Sequence, residues 1–100
     1  MVKDESIMAV IATLRSQFGD AIDVVDHWDT DLLAVGITRR GEPEPLVYVS
    51  AILDQERIFD LALELPPQPG SELPYEDGGW RLGLALAEVA DVVGVHLGLS

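Results

Sequence analysis

The chain has 100 residues, 48% hydrophobic and 24% charged, with 18 Asp plus Glu against 6 Lys plus Arg and a formal net charge of −12. That length and apolar content support one domain over residues 1–100 with a core that needs no covalent staples. The lack of cysteine excludes disulfides, thiol nucleophiles, iron–sulfur ligation and sulfur-bound zinc.

The start, Met1-Val2-Lys3-Asp4-Glu5, is acidic where a secretory signal is basic and then apolar. Apolar runs such as Met8 to Ala12 are far too short to span a bilayer. A cytoplasmic location without membrane contact is therefore expected. From Ile7 the apolar spacing is helical: Ile7, Val10, Ile11, Leu14 and Phe18 line one face. Asp4 or Ser6 supplies an N-cap, Glu5 suits the positive dipole end, and Gly19 can close the helix at positive φ, which predicts a helix over about 5–18.

Between Ala21 and Leu65 the period falls to two, and four strands are expected: one beginning at Ile22, Val24 and Val25, then Leu32–Thr38, Leu46–Leu53 and Arg57–Leu65. Short polar turns separate them, among them Trp28 to Asp31, Arg39 to Pro45 and Asp54 to Glu56, so antiparallel neighbours are favoured. The fourth strand alternates Phe59, Leu61, Leu63 and Leu65 with a wet side that includes Asp60 and Glu64. The second and third are apolar on nearly both sides, as central strands are. Asp20, Asp23, Asp26 and Asp29 recur at a spacing that sends successive carboxylates to opposite faces, which marks the first strand as a charge-protected edge.

Pro66, Pro67, Pro69, Gly70 and Pro74 break regular structure, and residues 66–79 read as a Pro/Gly-rich acidic loop. Beyond Gly78-Gly79, the positions Leu82, Leu86, Val89, Val93 and Leu97 recover helical spacing, although Trp80-Arg81-Leu82 can also extend the sheet. The expected architecture is α+β: a four-stranded antiparallel meander flanked by an N-terminal and a C-terminal helix. If both helices share a face, the other face of the central strands is an exposed apolar patch suited to a homodimer.

The chemistry-bearing residues are few. Asp23 to Asp31 holds four carboxylates and His27, but the spacing matches no calcium loop, and no nucleophile or oxyanion site lies nearby. No Gly-x-Ser-x-Gly elbow, phosphate-binding Gly-x-x-x-x-Gly-Lys run or His-Glu-x-x-His motif occurs, and Lys3 is the only lysine. The expectation is a non-enzymatic domain with no metal and no cofactor. A metal-dependent or acid/base enzyme at the Asp/His cluster is the weaker alternative. Arg39-Arg40-Gly41 reads as a solvated turn and His96 as a complement to a helix C-terminus.

Charge says more than any motif. Asp20, Asp23, Asp26, Asp29 and Asp31 occupy one stretch without a basic residue, and Glu42 to Asp77 holds nine acids relieved only by Arg57. Such a field repels nucleic acid and anionic membrane and attracts basic proteins. Where carboxylates crowd, they should raise each other's pKa values, so that salt or mild acid stabilises the fold.

In size, charge and α/β layout the chain resembles the acidic single-domain immunity proteins with which bacteria neutralise their own secreted toxins; no residue motif accompanies the likeness. The expected role is to bind and neutralise or regulate a basic protein partner, such as a toxin. Asp23, Asp26, Trp28, Asp29 and Asp31 on the edge strand, with Glu72, Tyr75, Glu76 and Asp77 on the loop, are the expected contacts. A structural or oligomeric module that self-associates through an apolar sheet face is the alternative.

Overall fold

The structure, a computed structural model, describes residues 3–25, 32–42, 44–52, 58–73 and 76–99. Helix α1 spans Glu5–Phe18 as its apolar spacing predicts. The Asp4 carboxylate accepts hydrogen bonds from the Ser6 amide (3.1 Å) and hydroxyl (2.6 Å), which caps the first turn and holds the Asp4 carboxyl below its ordinary pKa. At the other end Gly19, at φ 56°, donates its amide to the Arg15 carbonyl, and one 3-10 turn leads into the sheet. Ile7, Val10, Ile11 and Leu14 are buried, and Phe18 packs half-buried at the margin of the same core.

Five strands follow: β1 Ile22–Val25, β2 Ala34–Arg39, β3 Leu46–Ala51, β4 Ile58–Leu65 and β5 Glu76–Ala85, closed by α2 over Leu86–His96. The sheet is an antiparallel meander in the order β1-β2-β3-β4-β5. The α+β class and the flanking helices agree with the sequence reading, and β1 is an edge strand. The sheet has five strands rather than four.

The added strand comes from the expected loop and helix start. Residues 76–79 belong to β5 rather than to a loop running through Gly79, and Leu82 lies in β5 rather than in the last helix. The physical reason lies in the hydrogen bonds. The far edge of β4 would otherwise leave a row of donors and acceptors unpaired, and Gly78, Gly79 and Gly83 are poor helix formers. They suit instead the two irregularities in the β4–β5 register, Gly79 at φ 95° and Gly83 at φ 68°. Asp60 locks the second, its carboxylate accepting from the Gly83 amide at 2.9 Å. Helix α2 begins where Glu88 reaches back to accept from the Ala85 amide at 3.0 Å.

Both helices pack on one face: α1 meets α2, β1 and β3, while α2 meets β4 and β5. Alternate strand residues, among them Val35, Ile37, Val47, Val49, Phe59, Leu61 and Leu63, join Val89, Ala90, Val93 and Leu97 of α2 in a single core. The opposite face of the central strands is not the bare apolar patch expected. Ala34, Gly36, Thr38 and Leu46 lie on that face by alternation and are nevertheless buried, with Tyr48, directly across from Gly36, half-buried. Small side chains on β2 leave little apolar surface there to expose. Among the described residues, no helix is long and apolar enough to cross a membrane.

Candidate functional site

The expected contacts that lie in described strands, Asp23, Glu76 and Asp77, sit at the two edges of the sheet. Asp23 lies exposed on β1, where its carboxylate accepts from the Gly41 amide at 2.9 Å and so ties the β2–β3 turn to the sheet edge. Asp26, Trp28, Asp29 and Asp31 lie outside the described residues, as do His27 and Tyr75. Glu72 is exposed on the connection before β5, whereas Glu76, half-buried, and Asp77, exposed, open β5 itself. With four inter-strand steps of about 4.8 Å each, β1 and β5 are about 19 Å apart. Asp23 and the pair Glu76–Asp77 therefore stand at the two edges of the sheet rather than side by side.

What the fold does assemble is a second acidic corner, on the face of β3, β4 and β5 that points away from the helices. Alternation puts Asp60, Ala62 and Glu64 of β4 there, opposite the buried Phe59, Leu61 and Leu63. The register then sets Trp80 across from Ala62, Asp77 across from Glu64, and Glu64 across from Leu46. Two carboxylates facing each other across a strand pair repel. Glu44, two residues before Leu46, adds a third negative charge, one on which the Glu64 charge acts.

The electrostatics of this corner are unbalanced. Burial, and then the Glu64 charge, push the Glu44 carboxyl above the ordinary glutamate range, and burial does the same to Glu64. Oxygen Oε2 of Glu44 is buried without a hydrogen-bond partner. Asp77 has one oxygen engaged, accepting from the Gly79 amide at 2.7 Å. None of Glu44, Glu64 and Asp77 is paired with a cation among the described residues; the Arg39 guanidinium is committed to Glu42 at 2.7 Å.

Beside them Trp80 is 61% exposed, not folded over the core edge, and it forms one wall of a cavity of about 120 Å³ with Ala62, Leu63, Glu64 and Asp77. An aromatic wall beside unneutralised carboxylates suits an ammonium or guanidinium group, which gains from the ring face as well as from the charges. Among the described residues, no group of three or more His, Asp or Glu is gathered closely enough to hold a metal ion. His96 is engaged structurally, its Nε2 lying 2.9 Å from the Glu64 carbonyl.

Sequence reasoning named Asp77 and placed Asp60 and Glu64 on a wet strand face, but did not join them. The join requires the β4–β5 pairing, whose one trace in the sequence was the option that Trp80-Arg81-Leu82 extends the sheet. Compared with known proteins, the chain matches no family model, no curated protein and no solved structure.

Proposed function

We propose that this protein is a non-enzymatic acidic interaction domain that binds a basic protein partner and neutralises or regulates it, with the β4–β5 corner as a principal contact. The observation that carries the reading is the direct opposition of Glu64 and Asp77 beside Glu44 and the exposed Trp80, with no described cation among them. A free protein in which like charges face each other holds a repulsion that a bound Lys or Arg side chain relieves. The net charge of −12 steers such a partner inward and disfavours nucleic acid and anionic membrane. Asp23, exposed on β1, extends the attraction to the other sheet edge. A cytoplasmic location and an antidote-like role against a basic toxin belong to the same reading and rest on charge, size and the absence of cysteine.

The test uses a deca-arginine peptide as the basic probe, titrated at low and at physiological ionic strength. The Glu64→Gln/Asp77→Asn double variant should weaken binding severalfold, chiefly through a slower association rate. Asp20→Asn, at an exposed site outside the sheet, should leave binding almost unchanged. Equal losses in both variants would reduce the interaction to undirected charge attraction and overturn the assignment of the corner.

A further inference from the structure

The helix-side flank of β5 is built differently from the acidic corner behind it. Helix α2 covers β4 and β5 incompletely and leaves a cleft of about 270 Å³ lined by Leu63, Arg81, Asp91, Val92, Val95 and His96. Its floor is apolar. Val95 is 75% exposed, whereas Val89 and Val93 of the same helix are fully buried and Leu86 and Val92 partly so. Seven large apolar side chains are exposed among the described residues, and five of them, Leu65, Leu73, Trp80, Leu82 and Val95, come from the end of β4 through α2. Trp80 belongs to the opposite sheet face, whereas Leu65 lies on the helix side of β4 by alternation with Leu61 and Leu63 and Val95 lines the cleft itself. Exposed apolar side chains at a cleft mark interfaces.

The same cleft carries Arg81 and Asp91, and neither has an ion-pair partner among the described residues. Arg81 donates through Nη1 to the Trp80 carbonyl at 2.9 Å and has no described carboxylate within ion-pair distance, and Asp91 likewise has no described cation. We propose that this cleft is the interface of an isologous homodimer, with Val95 of each protomer seated in the cleft of the other and Arg81 of one protomer paired with Asp91 of its partner.

Charge complementarity selects a second copy as the occupant. A surface bearing one unpaired positive and one unpaired negative group is complementary to itself under a two-fold axis, whereas a partner of one charge would leave Arg81 or Asp91 unmatched in the contact. At a net charge of −12, two copies repel over most of their surfaces. On this flank Arg81 offers a second copy a cation beside apolar surface. A standard interface takes about 800 Å² from each partner, roughly one-seventh of the 5905 Å² surface of this chain. The ten residues of β5, about 33 Å of strand, provide the length for it. The irregularities at Gly79 and Gly83 interrupt the outer hydrogen-bonding edge, so the contact is one of side chains in clefts and not of continuous strand pairing. The acidic corner stays free on the opposite face, and this inference does not depend on the proposed function.

The experiment is sedimentation equilibrium of the full chain at physiological ionic strength, from micromolar to near-millimolar protein. The expected mass at the upper end is that of two 10.9 kDa chains. Val95→Glu alters a side chain already in solvent, so its circular dichroism should be unchanged, while dimerisation weakens on the order of tenfold or more. Arg81→Asp and Asp91→Arg should each weaken the dimer, and their combination should restore it. A wild-type chain that remains monomeric throughout, a dimer indifferent to Val95→Glu, or a double charge exchange that fails to restore association would each overturn the proposal. So would a monomer that takes up only an apolar peptide in the cleft.

Discussion

Neutralising Glu64 should make the protein more stable, and by an amount the sheet register permits working out. Glu64 and Asp77 are direct partners across β4 and β5, which puts their Cβ atoms about 5 Å apart. Unit charges held at that Cβ spacing would repel in water by roughly 0.8 kcal/mol, an upper bound for carboxylates that extend beyond Cβ and within the range of about 0.2–1 kcal/mol for cross-strand pairs. Glu64→Gln keeps the side-chain length and the carbonyl that His96 contacts, so the expected gain is up to about 0.8 kcal/mol at pH 7 and low salt. In a domain of this size that is up to about 6 °C in melting temperature.

The pH dependence follows from the direction of the shifts. Glu44 and Glu64 have folded-state pKa values raised above the ordinary 4.5. Their penalty is therefore complete at neutral pH, is relieved as pH falls through the raised values, and is gone below the ordinary value, where the unfolded chain is protonated too. The wild type should approach Glu64→Gln in stability across that window, and high salt should narrow the gap at pH 7. Thermal unfolding followed by circular dichroism at three pH values and two salt concentrations measures this. A Glu64→Gln variant no more stable than wild type at pH 7 in low salt would refute the claim that these carboxylates repel.

Asp4→Ala removes the acceptor for the Ser6 amide and hydroxyl, and thermal unfolding should show a melting temperature a few degrees lower at neutral pH. Because the folded-state pKa of Asp4 is depressed below 3.8, this difference should persist above that value and disappear as pH falls through the depressed one. Gly78→Ala would place a Cβ 2.9 Å from the backbone carbonyl oxygen of Leu63; β4 would have to shift, and urea unfolding should register a loss of about 1–3 kcal/mol.

The elements read most accurately from the sequence are those whose evidence is local. Helix α1 shows its stripe and both ends within its own residues, and β4 shows strict alternation. Helix α2 is half legible. Leu86, Val89, Val93 and Leu97 do form its inward side, but Leu82 continues the same spacing backward into a segment that is a strand. Periodicity cannot separate the two where a short apolar run meets glycines; the free edge of β4, a partner distant in sequence, decides it. The candidate site follows the same division. The negative charge is plain in the composition, yet the acids the sequence groups together, Asp23 with Glu76 and Asp77, lie on opposite sheet edges. Glu44, Glu64 and Asp77 meet only because three strands align.

By itself, then, the sequence determined an acidic, cysteine-free α+β chain, its first helix, the polarity of β4 and the edge position of β1, because spacing, capping and composition act within a few residues. The tertiary structure decided the fifth strand, the shared helix face, the burial of the β2–β3 surface and the convergence of carboxylates beside Trp80. These depend on which backbone edges and apolar faces find one another across the folded chain, and strand register is settled by burial and hydrogen bonding between distant segments.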